Sequence, residues 1–207
     1  MAFSPKRLVR QSYNRIADSY ADAVPDPEGP RAKYIRLLRD LVPAGRRVLD
    51  LGCATGAHVT RYLAEDFDVV GVDISERSIA RATETVPRAT FVVADMATVA
   101  FAPGSFDAVV AFFSLIHVPR AEHAVVLRSV HDWLRPGGVC IVTMGAGGGG
   151  EATGTFHGVE MYWSSWPAAD SLRMVADAGL GLLSATEEHE EENATLVSHL
   201  WVVARRP

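Results

Sequence analysis

The sequence lacks the features that mark a membrane, secreted or nucleic-acid-binding protein. No apolar run approaches the ~20 residues that a membrane-spanning helix needs. The two cysteines, Cys53 and Cys140, are too few for a disulfide framework and favour a reducing compartment. The 25 acidic residues outnumber the 20 basic ones, which disfavours a surface that wraps nucleic acid or coats an anionic membrane. The first twenty residues have no apolar signal-peptide core, so we expect a cytoplasmic protein.

The composition and the periodicity predict one α/β domain. The 207 residues, 48% of them apolar, suffice for such a domain with a full core. Val-rich segments alternate with helical patterns from residue 47 onward, which indicates a doubly wound parallel sheet with right-handed crossovers. Strands are predicted at 47–51, 69–73, 90–94, 106–113, 139–144, 180–188 and 195–204. Helices are predicted at 5–22, 31–41, 57–65, 75–85 and 120–134, and a last helix follows Pro167 and ends at about Ala178.

The most informative stretch runs Val48-Leu49-Asp50-Leu51-Gly52-Cys53-Ala54-Thr55-Gly56. A short apolar strand carries a carboxylate, breaks into glycines and is followed by a helical pattern. Glycine permits positive φ and a close approach of a ligand to the backbone. Free N–H groups at the start of the next helix can meet electronegative atoms. This stretch therefore predicts a cofactor-binding turn at the carboxyl end of the first parallel strand.

The acidic residue and the outer glycines of this turn resemble the first motif of class I S-adenosylmethionine (SAM)-dependent methyltransferases, acidic-x-Gly-x-Gly-x-Gly, with Ala54 in place of the middle glycine. The turn Leu134-Arg135-Pro136-Gly137-Gly138 is a second mark of that family. The resemblance covers about residues 8–206. It implies a Rossmann-like sheet of seven strands, mostly parallel with an antiparallel last strand, and helices on both faces. It also implies SAM as cofactor and S-adenosylhomocysteine as product.

Three successive strands each carry an acidic residue near the carboxyl end, in the order Asp50, Asp73 and Asp95. Nicotinamide and flavin proteins use similar turns, but a carboxylate at Asp50 would repel a pyrophosphate and suits the ammonium of a methionine group. Asp73 can accept both ribose hydroxyls, and the resemblance implies that Asp95 and Met96 hold the adenine. No metal site is predicted. The predicted cofactor-binding residues are Tyr13, Tyr20, Asp50, Gly52, Cys53, Ala54, Gly56, Asp73, Ile74, Asp95, Met96, Phe112 and Phe113.

The N-terminal segment predicts an amphipathic helix with Tyr13 and Tyr20 on one face, followed by a proline-rich joint at Pro25 and Pro27. It resembles the segment that lies over the cofactor in small-molecule methyltransferases. We therefore divide the chain into a helical lid, residues 1–28, and a methyltransferase domain, residues 29–207. The alternative is that both tyrosines only pack this helix on the core.

Two stretches predict the acceptor site. His117 follows the fourth strand, where the resembling family opens onto the acceptor, so it is a candidate general base or acceptor-orienting group. The alternative is that His117 caps or packs the start of the next helix. The run 145–150 contains five glycines and predicts a mobile connection near the acceptor mouth. The predicted acceptor pocket consists of Phe113, His117, Met161, Tyr162, Trp163 and Trp166, although the tryptophans can instead bury under the following helix.

The sequence as a whole predicts a methyltransferase that moves the SAM methyl group to an oxygen or nitrogen atom of a small-molecule acceptor. We expect a monomer or homodimer without nucleic-acid or membrane partners. The alternatives are a non-catalytic SAM-binding regulatory protein, a methyltransferase acting on RNA or protein, and a nicotinamide-dependent oxidoreductase. The acidic balance disfavours the RNA or protein substrate, and Asp50 together with the Leu-x-Pro-Gly-Gly turn disfavours the oxidoreductase.

Overall fold

Helices and strands alternate along the chain, as predicted. The computed structural model describes residues 3–23, 29–192 and 195–207. The elements are α1 (Pro5–Ala23), α2 (Gly29–Leu41), β1 (Arg47–Leu51), α3 (Thr60–Leu63), β2 (Asp68–Asp73), α4 (Glu76–Thr85), β3 (Thr90–Val93), β4 (Phe106–Ala111), α5 (Arg120–Trp133), β5 (Leu134–Gly145), β6 (Gly150–Phe156), β7 (Val159–Ser165), α6 (Ala168–Asp177), β8 (Gly181–Glu192) and β9 (Thr195–Arg205). α3 is shorter than the predicted helix at 57–65 because residues 57–59 form a turn before it and the helix ends at Leu63. None of these helices, in the part of the chain that the structure describes, is both long and apolar enough to cross a membrane.

The main sheet has seven strands in the order β3-β2-β1-β4-β5-β9-β8. Strands β1 to β5 are parallel, and β9 runs antiparallel to both β5 and the edge strand β8. The predicted fold class is therefore confirmed, including the antiparallel last strand. The strand order reverses beside β1, between β2 and β4, which opens a crevice at the carboxyl ends of these strands.

The core lies on both faces of the sheet because neighbouring residues of a strand point to opposite faces. Leu49 belongs to the cluster beneath α5 and α6, and Val48 belongs to the cluster beneath α2 and α3. In the second cluster, the rings of Tyr34 and Trp201 stack 4.2 Å apart and nearly parallel. Trp201 is fully buried and joins α2 to β9.

A separate β-hairpin, formed by β6 and β7, carries Met161, Tyr162 and Trp163 in a part of the chain where no strand was predicted. β6 has few apolar residues and therefore no strand signal of its own; pairing with β7 makes it a strand. Two glycines of the run 145–150, which was predicted to be a mobile connection, pack closely on their neighbours, whereas Gly147, Gly148 and Gly150 have open space around them. A Cβ atom at Gly149 would lie 2.7 Å from Pro167, and one at Gly145 would overlap Ser165.

Helix α1 lies over the carboxyl end of the sheet, against α4 and β7. Val9 and Ile16 of this helix are buried against Met161 and Tyr162 of the hairpin. The predicted lid boundary at residue 28 and the prolines of the joint, Pro25 and Pro27, lie outside the described residues. The division into a lid and a methyltransferase domain therefore stays a prediction.

We expect Trp201→Ala to lower the free energy of unfolding by about 3–5 kcal/mol, because it leaves a large cavity between α2 and the sheet. Chemical denaturation measures this change. Trp166→Ala is the control, since Trp166 is only half-buried and lies outside the main core. An equal loss of unfolding free energy in both variants would contradict the central position of Trp201 in the core.

Candidate cofactor and acceptor site

The glycine turn is fixed by hydrogen bonds to the neighbouring strands. The N–H groups of Gly52 and Cys53 both donate to the Val72 carbonyl of β2, at 2.7 and 3.1 Å. Gly52 has a φ of 80°, and a Cβ atom there would overlap Ser114, the segment that follows β4. The Ser114 hydroxyl donates to the Leu51 carbonyl at 2.6 Å. The turn therefore packs so closely on its neighbours that only glycine fits at position 52.

Asp73 lies beside this turn at the end of β2. Its two oxygens accept hydrogen bonds from the N–H groups of Ala54 (2.9 Å) and Ser75 (2.8 Å), which fix the orientation of the carboxylate. Only 8% of the residue is exposed. Burial raises the pKa of Asp73 to about 6, although these hydrogen bonds favour the ionised form. The side chain still lines a cavity, so it has acceptor capacity for a ligand.

Asp95 follows β3 and is joined to α1. One oxygen accepts from the Ala97 N–H at 2.9 Å, and the other accepts from the Lys6 ammonium at 2.5 Å. Lys6 also pairs with Glu122 of α5. Partial burial opposes the charge of Lys6, but its hydrogen bonds to both carboxylates raise its pKa. These contacts tie the first turn of α1 to the rim of the cavity.

A cavity lies at the carboxyl ends of the parallel strands, under α1. The predicted residues that line it are Tyr13, Tyr20, Gly52, Cys53, Ala54, Asp73, Ile74, Asp95, Met96, Phe112, Phe113 and His117. The sequence reasoning missed nine lining residues, among them Lys6, Arg31 and His58. Lys6 could have been found, because it precedes Tyr13 by seven residues and shares its helix face.

Two predicted cofactor residues lie outside the cavity lining. Asp50 is 1% exposed and accepts a hydrogen bond from the Thr60 hydroxyl at 2.7 Å, so its carboxylate faces α3 rather than the cavity. Burial raises the pKa of Asp50 to about 7. Gly56 faces α4, where an added Cβ atom would meet Val86 and Ala82. Asp50 and Gly56 therefore pack on the side of the turn that faces away from the cavity.

His117 is held between α1 and the hairpin. Its Nδ1 lies 2.7 Å from the Tyr162 carbonyl, and its Nε2 lies 3.0 Å from the Tyr13 hydroxyl. Because a carbonyl only accepts, Nδ1 carries the hydrogen, and Nε2 accepts the hydrogen bond from Tyr13. Burial lowers the pKa of His117 to about 4, so the imidazole is neutral at pH 7. Such a group is a weak base, which favours an orienting role through Tyr13.

The six residues of the predicted acceptor pocket do not line one pocket. Phe113 and His117 line the main cavity, whereas Met161 and Tyr162 are buried in the wall beneath α1. Trp163 lines a second depression beside the glycine run. Trp166 is covered by the Arg120 guanidinium, 3.7 Å above its ring. The physical reason is strand geometry, since successive residues of β7 cannot all point into one pocket.

Comparison with known proteins agrees with this geometry. Residues 48–138 match the family model of the methyltransferase domain. Over these residues the chain is similar to the methyltransferase domain family, and the predicted resemblance to class I SAM-dependent methyltransferases is confirmed. The family match begins at the first strand and ends at the Leu-x-Pro-Gly-Gly turn, so it contains both motifs.

Two curated relatives and one solved structure illustrate the similarity. A 2-methyl-6-phytyl-1,4-hydroquinone methyltransferase of Synechocystis is 38% identical over 108 residues, which cover 50% of this chain and 33% of the relative. A dTDP-3-amino-3,4,6-trideoxy-α-D-glucopyranose N,N-dimethyltransferase of Streptomyces venezuelae is 33% identical over 51% of this chain and 45% of the relative. The chain thus spans less than half the length of these relatives. The structure of magnesium protoporphyrin IX methyltransferase from Synechocystis with bound SAM superposes with a TM-score of 0.75, covering 100% of this chain and 99% of that chain at 19% identity, which shows the shared fold.

We expect His117 to stay neutral down to about pH 5. Its folded-state pKa of about 4 lies below the ordinary value of 6.5, because the charged form is disfavoured by burial. The neutral form therefore contributes stability that is present above pH 6.5 and is lost as the pH falls towards 4. NMR titration of the imidazole nitrogens measures this pKa. The exposed His189 is the control, and a His117 midpoint near 6.5 would contradict the buried geometry.

Proposed function

We propose that this protein binds SAM in the cavity under α1 and transfers its methyl group to an oxygen or nitrogen atom of a small-molecule acceptor. The observation that carries the proposal is the arrangement at the ends of neighbouring strands. The turn at Gly52, the carboxylate of Asp73 and the carboxylate of Asp95 line one cavity. Tyr13 and His117, which form a hydrogen-bonded pair that can contact the methyl acceptor, line the same cavity.

The residues of the cavity fit the chemistry of SAM. Each carboxylate oxygen of Asp73 accepts one backbone hydrogen bond and has a further lone pair, so both can accept ribose hydroxyls. Ile74 and Met96 provide an apolar lining next to Asp95, which suits an adenine ring. The missing side chain at Gly52 leaves the backbone open to a close ligand contact.

The chain contributes mainly position and the exclusion of water. When bound, SAM supplies a sulfonium methyl group that already has a good leaving group. Holding the acceptor in line with that methyl carbon can account for about 7–11 kcal/mol of the barrier. The Tyr13 hydroxyl, fixed by His117 Nε2, can orient an acceptor oxygen or nitrogen. The Tyr162 carbonyl holds Nδ1–H of His117, so Nε2 is the nitrogen that accepts from Tyr13, and His117 acts as an orienting group rather than as a strong base.

A small acceptor is supported by the enclosure of the cavity and by the relatives. Helix α1 covers the mouth through the contacts of Lys6 with Asp95 and Glu122. The two curated relatives are, by their names, methyltransferases of a hydroquinone and of a nucleotide-linked sugar. The formal net charge of −5 disfavours RNA as the acceptor.

Binding of S-adenosylhomocysteine tests the cofactor assignment. We expect Asp73→Asn to weaken the affinity about tenfold to a hundredfold, because it removes a charged hydrogen-bonding partner worth about 1.5–3 kcal/mol. Isothermal titration calorimetry measures the dissociation constant. Asp68→Asn is the matched control, since Asp68 is exposed at the opposite end of β2. Equal affinities of wild type and Asp73→Asn would remove Asp73 from the site.

Helix α1 is expected to act as the lid over bound cofactor. Lys6→Met removes both ion pairs at its first turn, so the helix should exchange its amide hydrogens faster and S-adenosylhomocysteine should dissociate faster. Hydrogen-exchange mass spectrometry over residues 5–23 and stopped-flow release measure these rates. Arg15→Gln is the control on the same helix, because Arg15 is exposed. Unchanged rates in Lys6→Met favour simple packing of α1.

Methyl transfer itself is tested with methyl-labelled SAM and a panel of phenols, amines and carboxylates. We expect protein-dependent label in at least one product, at a rate that falls in Tyr13→Phe while S-adenosylhomocysteine binding persists. Tyr13→Phe keeps the aromatic ring and removes the tyrosine hydroxyl that is hydrogen-bonded to His117. Binding without transfer to any acceptor class would favour the non-catalytic alternative.

A further inference from the structure

Asn14, in the middle of α1, caps the beginning of α4 from outside that helix. Its side-chain oxygen accepts hydrogen bonds from the Ser75 hydroxyl at 2.7 Å and from the Arg77 N–H at 3.1 Å. Its amide nitrogen donates to the Glu76 carboxylate at 2.9 Å. Because a backbone N–H only donates and an ionised carboxylate only accepts, one orientation of the Asn14 amide serves all three partners. The contact therefore uses both halves of the amide.

The first turn of any helix has N–H groups that find no partner inside the helix, and in α4 two helices supply the acceptors. Ser75 is the N-cap of α4, and its hydroxyl oxygen accepts from the Ser78 N–H at 3.0 Å. The Arg77 N–H, too early in α4 for an intrahelical partner, donates to Asn14 instead. Ser75 is fully buried, so its hydroxyl also needs an acceptor, which Asn14 provides. The hydrogen bonding at the start of α4 thus depends on the docking of α1.

Two ion pairs also join α1 to α4, but they are exposed. Arg10 pairs with Glu76 at 2.6 Å, and Asp18 pairs with Arg77 at 2.8 Å, with roughly half of each side chain exposed to solvent. Exposed ion pairs contribute little to stability, because water and salt screen them. The Asn14 contact instead ends on a buried hydroxyl and on a backbone N–H. Asn14 therefore provides a contact between these helices that depends on precise geometry.

The segment that Asn14 contacts is the one that holds Asp73. The Ser75 N–H donates to one oxygen of Asp73 at 2.8 Å, so the position of Ser75 helps to set the orientation of that carboxylate. Ile74, between the two, lines the cavity and packs on the cluster that α1 forms with the hairpin. A chain of hydrogen bonds therefore runs from Asn14 through Ser75 to Asp73, whose carboxylate lines the cavity.

We propose that Asn14 is a positioning residue that couples the docking of α1 to the binding of the cofactor ribose. With α1 docked, Asn14 holds Ser75, and Ser75 holds the Asp73 carboxylate in the orientation that accepts the ribose hydroxyls. Such coupling is reciprocal, so a ribose bound to Asp73 stabilises α1 in its docked position. The inference rests on the proposed function, and it names the side chain that connects the lid to the cofactor.

The first arm compares S-adenosylhomocysteine with its 2′,3′-dideoxy analogue, which keeps the adenine and the amino acid but lacks both ribose hydroxyls. Isothermal titration calorimetry gives the two dissociation constants. We expect wild type to prefer S-adenosylhomocysteine, and Asn14→Ala to lower that preference about fivefold or more. Loss of a merely structural cap would weaken both ligands equally. Glu76→Gln is the matched control and should leave the preference unchanged, because a glutamine amide oxygen can still accept from Asn14.

The second arm exchanges the chemistry of the two partners. Asn14→Asp alone should lower the preference, because it sets a second carboxylate against Glu76. Asn14→Asp combined with Glu76→Gln again pairs one acceptor with one donor, so the preference should return. Hydrogen-exchange mass spectrometry should show that S-adenosylhomocysteine slows exchange over residues 5–23 less in Asn14→Ala than in wild type.

The coupling is overturned if Asn14→Ala weakens both ligands equally or leaves the preference unchanged. It is also overturned if the double variant stays as defective as Asn14→Asp. If wild type does not bind S-adenosylhomocysteine, or binds both ligands equally, the ribose is not held by Asp73. That result would refute the cofactor assignment itself, and the coupling with it.

Discussion

The close contact between the glycine turn and its neighbours is the constraint on which the site depends. The turn after β1 donates two N–H groups to the Val72 carbonyl and leaves no space between Gly52 and Ser114. This fixes the ends of β1, β2 and β4 relative to one another where the strand order reverses. Asp73 is then held by the Ala54 N–H, so the turn and the carboxylate form one rigid unit. This wall of the cavity is therefore preformed, and ordering it on ligand binding costs little of the binding free energy.

Helix α1 completes the cavity by two different kinds of contact. Its apolar face, with Val9 and Ile16, is buried against the hairpin. Its polar contacts, from Lys6 to Asp95 and from Tyr13 to His117, reach both ends of the cavity. Movement of this single helix would therefore expose the acidic end and release the His117 imidazole together. The hairpin has a supporting role, because the Tyr162 carbonyl sets the tautomer of His117.

The sequence predicted the sheet, and the positions of the acidic residues near its carboxyl edge, because local signals determine both. Buried parallel strands are continuous apolar runs, and their carboxyl ends necessarily meet at one edge. Asp73 and Asp95 could therefore be assigned to the site from their positions alone. Asp50 has the same signal, but its side chain turns towards Thr60, which no pattern in the chain reveals. The polar strand β6 was missed because its pairing with β7 is a tertiary effect.

The central claim is that the cavity under α1 is a SAM site with the acceptor end at Phe113 and His117. A crystal structure of the complex with S-adenosylhomocysteine tests it most directly. The account predicts the ribose hydroxyls on Asp73, the adenine beside Asp95 and Met96, and the sulfur directed towards the Tyr13–His117 pair. A ligand bound outside this cavity, or bound with its ribose away from Asp73, would contradict it.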